Sequence, residues 1–158
     1  MANRGLLFAA VMLALAGCAS TQAEEYRDAA DDLAEDLIDQ LEQRTDTRQV
    51  RLLVTEFQSD NPMGGRPATH RHANLSKHIK HQLTKELATE VVVIEDDGPK
   101  TTRQADLYIR ATELGATTIV VGNYSHTEKD RILVVARIVD LESRNVLASA
   151  EEELKLDS

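Results

Sequence analysis

Apolar residues recur along this chain with two different periods. Tyr26, Ala30, Leu33, Leu37 and Leu41 follow helical spacing, and Ala34 and Ile38 widen the stripe. Asp28, Asp32, Glu35, Asp36 and Asp39 fill the opposite face. The pattern predicts an amphipathic helix of about five turns. Thr21, with Glu24 three residues on, has the form of a capping box at its start. Val50–Phe57 is mostly apolar and reads as an internal strand. Leu75, Ile79, Leu83 and Leu87 step by four within a second helix, Ala73–Glu90. Val91–Glu95 follows as a second strand. Thr101–Leu114 then reads as a third helix with Ala105, Tyr108, Ile109 and Thr112 on one face, stopped by Gly115 as its C′ residue.

The last third changes period. Thr117–Val121, Ile132–Leu141 and Val146–Ala150 are β-branched runs separated by polar turns at Thr127–Asp130 and Glu142–Asn145. β-Branched side chains fit a pleated surface better than a helix, so a three-stranded antiparallel meander is predicted. Its middle strand is apolar on both faces, the mark of a strand covered on both sides. Its last strand ends in acids, as an edge strand does. The element order α-β-α-β-α-β-β-β predicts one α/β domain: a mixed sheet of about five strands, helices packed on it, and the meander closing it.

The N-terminus has a different character. Arg4 is followed by the apolar run Leu6–Ala16, which has signal-peptide length, and then by Leu15-Ala16-Gly17-Cys18. That tetrapeptide resembles the lipobox of bacterial lipoproteins. The resemblance implies a signal peptide over 1–17, cleavage between Gly17 and Cys18, and lipidation of the Cys18 thiol. Residues 18–23 would form a short lipidated tether of reach about 18 Å, with the domain over 24–158. Cys18 is the sole cysteine, so no disulfide framework exists. Ala19 is not the aspartate that holds such proteins at the inner membrane, which favours the outer membrane, facing the periplasm. Acyl chains contribute membrane affinity in proportion to their buried methylenes.

Composition narrows the function classes. The chain carries a formal charge of -9, has no tryptophan, and is 3% aromatic. Such a chain neither tracks a phosphate backbone nor offers stacking platforms, so nucleic acid is not an expected partner. Walker loops, GxGxxG, GxSxG and HExxH are all missing, so no enzymatic activity and no cofactor are predicted. The histidines cluster at His70, His72, His78 and His81 among Arg71, Lys77, Lys80 and Lys85. His78 and His81 have the spacing of metal ligands on a helix, yet lysines beside them disfavour a divalent cation. No metal site is assigned there; a metal or small-ligand binder remains the alternative. The other reading is a cationic, pH-sensitive patch that meets an acidic protein or the acidic first helix of a second copy. The connection Gln58–Thr69 holds Gly64-Gly65 and two prolines; it is either a plain surface loop or a partner contact. Arg137 lies mid-strand among Leu133, Val135 and Val139. It needs either a structural tie, as an ion pair for which Glu56 is a candidate or a hydrogen bond to a helix end, or an open face where it contacts another protein.

Three segments carry a family resemblance: Gly115–Tyr124 (GATTIVVGNY), Val134–Leu141 (VVARIVDL) and Val146–Ala150 (VLASA). This pattern resembles the FlgO domain family, with the helix Ser76–Ala88 and the strand Leu52–Phe57 similar to that family's opening elements. One departure is Arg144-Asn145, where the family often has Thr-Gly; Asn tolerates left-handed geometry. The resemblance implies an outer-membrane lipoprotein linked to flagellar assembly and motility. Similar folds occur in the amino-terminal domain of TolB and in lipoproteins related to curli export or to activation of peptidoglycan synthases. The expected activity is therefore protein binding at the envelope, with a flagellar or general envelope partner and self-association left open. Regulation of a peptidoglycan synthase or secretion system is the alternative; the short tether argues against it.

Overall fold

A computed structural model describes residues 6–60, 70–96, 103–128 and 131–155, with side chains lying outside the description at 6–23, 70–74 and 128. The elements are α1 (Leu6–Glu42), a 3₁₀ turn (Thr47–Gln49), β1 (Arg51–Val54), β2 (Gln58–Ser59) and α2 (His70–Leu87). They continue as β3 (Val92–Ile94), α3 (Gln104–Glu113), β4 (Thr118–Glu128), β5 (Arg131–Asp140) and β6 (Val146–Lys155). The sheet order is β3-β1-β4-β5-β6, with β2 pairing β4 beside β1. Strands β3, β1 and β4 are parallel; β4, β5 and β6 form the antiparallel meander. This is the predicted α/β domain, with one additional strand. The helix α1 extends upstream of the expected start near Thr21, through an Ala- and Leu-rich run that favours helix.

One sheet face is sealed by α1 and α2. Leu33, Leu37 and Leu41 of α1 and Leu75, Ile79, Leu83 and Leu87 of α2 are buried with Leu52, Val120, Ile132, Val134, Ala136 and Ile138. Both predicted helical stripes are therefore core. The other face carries a smaller cluster under α3: Leu53, Ala111, Ala116, Ile119 and Val139, edged by Leu107, Tyr108 and Leu114. The buried line of α3 runs through Leu107, Ala111 and Leu114 rather than through Ile109, which is 59% exposed.

The middle strand is not covered on both sides along its length. Ten residues of helix span about 15 Å, whereas ten residues of strand span about 33 Å. α3 therefore covers the Ile119–Val139 end only. Val121 still packs against the cluster under α3, but beyond it Arg137, Val135 and Leu133 are half-buried, with no helix over them among the described residues.

Several local deviations have visible causes. The first strand breaks after Val54, where both Thr55 N–H (3.1 Å) and Thr55 Oγ1 (2.8 Å) donate to Val120 O. Ser76 Oγ of α2 then ties to Phe57 O at 2.9 Å, and β2 resumes against β4. Phe57 lies flat on the backbone of Gly122, where any Cβ would overlap its ring. Gly115 ends α3 with φ +77°, the left-handed C′ geometry expected of it. In the β5–β6 turn, the left-handed residue is Arg144 (φ 64°), not Asn145. Its N–H donates to Asp140 O at 3.0 Å and its guanidinium lies 4.1 Å from the Tyr108 ring centroid. Leu147 is the extra residue of a bulge in β6, so it packs toward the same core as Ala148.

Candidate functional site

The cationic patch is built by helix α2. Its Leu75/Ile79/Leu83/Leu87 stripe faces the core, so Lys77, His78, His81 and Lys85 are forced outward and exposed, with Lys80 half-buried. The two histidines diverge. The His78 ring stacks on Tyr26 of α1, with centroids 6.2 Å apart and planes 28° apart. His81 instead turns toward the carboxyl ends of β1 and β3. There it lines a cavity of about 250 Å³ with Lys77, Lys80, Thr84, Val54, Ile94, Glu95 and Asp96. Among the described residues no group of three His, Cys, Asp or Glu side chains is placed to hold a metal.

The cavity's charge is biased positive. Asp96 is held by Arg110 of α3 at 3.1 Å, so its carboxylate is already matched. Among the described residues lining the cavity, Glu95 is the carboxylate left to face Lys77, Lys80 and His81. On an acidic protein this concentrates positive potential at one end of the parallel strands, where open α/β sheets present their crevices. The groove between α1 and the end of α2 is acidic: Asp31, Glu35, Asp39, Glu42, Glu86 and Glu90 line a volume of about 470 Å³.

The remaining predicted positions are scattered. His72 lies in the first turn of α2, with its side chain outside the description; Gly64 and Gly65 lie outside the described residues. Gly17 and Cys18 fall within α1, in its segment without described side chains. Arg137 sits between Val121 and Ser149 in the sheet. Glu56, which follows β1 two strands away from β5, makes no ion pair with Arg137. Among the described residues the Arg137 guanidinium makes no ion pair.

Sequence reasoning missed a contact between α1 and β6. The Gln40 amide donates to Ser149 O at 2.9 Å and accepts from Ser149 N at 3.1 Å, as a neighbouring strand would. Arg44 adds a bond to Val146 O at 3.1 Å. A single glutamine on a polar helix face carries no signal of such a role. Nearby, burial raises the Glu152 pKa, and the carboxylates of Asp32 and Asp36 raise it further. The folded state therefore holds the Glu152 proton to higher pH than the unfolded chain does. Ionising it opposes folding, so stability falls as pH rises above the ordinary value of 4.5 and stays reduced at neutrality. Glu152→Gln is expected to raise the melting temperature at pH 7 and to leave it unchanged at pH 3, read by thermal unfolding at both values. Asp140 behaves oppositely. Hydrogen bonds from Ser143 Oγ (2.7 Å) and Ser143 N (2.6 Å) hold its carboxylate below the usual value, and that contribution is lost as pH falls.

This architecture defines a class: a three-helix α/β domain whose mixed sheet ends in a long antiparallel meander. Within it, the FlgO protein family model matches residues 101–158, the stretch that forms α3 and the meander. The matched residues contain the Val-Gly-x-Tyr and Ala-Arg-x-Val-Asp-Leu segments, so the resemblance read from the sequence holds over that part of the chain. No curated protein matches the sequence. Among solved structures, the LpoB C-terminal domain from Salmonella enterica is similar at TM-score 0.59 and 10% identity, covering 82% of this chain and 98% of that one. The LpoB C-terminal domain from Escherichia coli is similar at TM-score 0.57 and 10% identity, covering 84% and 98%. The solution structure of Escherichia coli LpoB reaches TM-score 0.51 at 9% identity, covering 82% and 68%. At these identities the likeness establishes a shared fold.

Proposed function

We propose that this protein is an outer-membrane lipoprotein, anchored through Cys18, that works by docking another envelope protein in the periplasm in support of flagellar assembly. The observation that carries the docking reading is the exposed cationic face of α2, with Lys77, Lys80 and His81 around one cavity, on a chain of formal charge -9. The match of the FlgO family model to α3 and the meander supports the flagellar assignment. Arg137 and the half-buried Val121, Leu133 and Val135 beside it supply a second surface on the opposite face.

The test is a clean deletion in the host bacterium, with swimming and retained filaments counted by electron microscopy. Loss of both, restored by the intact gene and not by Cys18→Ala, is the expected outcome. Intact motility removes the flagellar assignment. The second reading, regulation of a peptidoglycan synthase, is favoured by the shared fold with the LpoB domains. It would show in the same deletion strain as altered wall synthesis with normal filaments.

A further inference from the structure

We infer that the free half of the β6 edge is a strand-addition site for an extended, basic segment of a partner protein. This goes beyond the docking face on α2 and stands or falls independently of it.

The reasoning begins with hydrogen-bond parity. In an antiparallel ladder, alternate residues direct both N–H and C=O to the same side. Ser149 directs its pair away from β5, because both groups bond to Gln40. Glu151 and Glu153, two and four residues on, therefore direct theirs outward too. Both lie in unbroken register with Val135 and Leu133 of β5. The turn-proximal half of this edge is sealed by Gln40 and Arg44. Past Gln40 no described group takes up the outward backbone of Glu151 or Glu153. Gln40 shows the edge accepting an amide in a strand's place, one register step from where it falls open.

Charge selects the occupant. Asp36 and Asp32 lie four and eight residues before Gln40, on the same line of α1, and run beside Glu152. Glu153 is already held by Arg131 at 3.3 Å. Glu151, Glu152, Asp32 and Asp36 remain without a described cation. A second copy pairing β6 to β6 would set these acids against their own kind, which like-charge pairs in sheets oppose. A strand with lysine or arginine at alternate positions meets both needs: it supplies the missing backbone partners and the missing positive charge.

The probe is a short peptide alternating lysine and valine, titrated into the full chain in neutral detergent. Amide hydrogen exchange of β6 and peptide anisotropy are read together. Saturable binding is expected, with the amides of Glu151 and Glu153 slowed by about tenfold or more. A glutamate–valine peptide should not bind. Glu151→Pro removes an outward N–H, the position where an edge strand tolerates proline, and should abolish the protection. Methylating the backbone nitrogens of the peptide tests the same bond without altering the protein, and should abolish binding in one of the two alternate sets. Binding that survives both changes would be charge attraction without strand addition, and would overturn the inference. So would a β6-mediated dimer seen by sedimentation, or unchanged exchange at Glu151 and Glu153.

Discussion

Gly122→Ala is expected to destabilise the fold by about 3 kcal/mol, the upper range for overpacking a closed core. Gly122 lies inside β4, opposite Ala136 of β5, and is itself buried. The Phe57 ring occupies the space a methyl would take, and Phe57 is only 4% exposed. The ring has little room to withdraw, because Phe57 O is fixed by Ser76 Oγ and Thr55 is fixed to Val120. Urea unfolding should show a lower midpoint with an unchanged slope. The double variant Phe57→Leu/Gly122→Ala should recover part of the loss, giving an interaction energy of about 1 kcal/mol or more between the two sites. A stability for Gly122→Ala within about 0.5 kcal/mol of the parent would show that the ring does not press on this backbone.

The second large effect is expected at Leu37. It is fully buried at 0% exposure, midway along the α1 stripe that covers β5 and β6. Leu37→Ala should cost about 3 to 4 kcal/mol, combining lost burial with the cavity left behind. The consequence is wider than one side chain. α1 lies outside the segment matched by the FlgO family model, yet it seals the larger core. A chain shortened to begin after Glu42 should therefore fail to unfold cooperatively. A cooperative transition from that fragment, seen by circular dichroism, would mean that the meander and α2 suffice alone.

Much of this architecture could be read along the chain because local period and burial agree. The Leu75/Ile79/Leu83/Leu87 and Leu33/Leu37/Leu41 stripes are core, Gly115 is left-handed, and β6 is an edge. What could not be read depends on lengths and distant contacts. The middle strand looks covered on both faces in sequence; only the short span of α3 leaves Val135 and Leu133 half-open. The break at Thr55 depends on a carbonyl of β4 that is remote in the chain. Gly122 did carry a signal, since glycine inside a strand marks a close approach, but its partner Phe57 had to be seen. At the candidate site, the residue types of the cationic patch were legible, while the divergence of His78 and His81 was not. It follows from Tyr26 of α1 meeting one ring and the β3 end of the sheet meeting the other.

The docking role of α2 is tested most directly by complementing the deletion strain with Lys77→Glu/Lys80→Glu and counting retained filaments. Lys77 is exposed and Lys80 half-buried, so the purified variant should melt with the parent, its stability changed by no more than about 0.5 kcal/mol. With folding intact, filament retention is predicted to stay at the level of the deletion. Full restoration by this charge-reversed protein would contradict the account, because a partner bound through the cationic face could not tolerate two acids in its place.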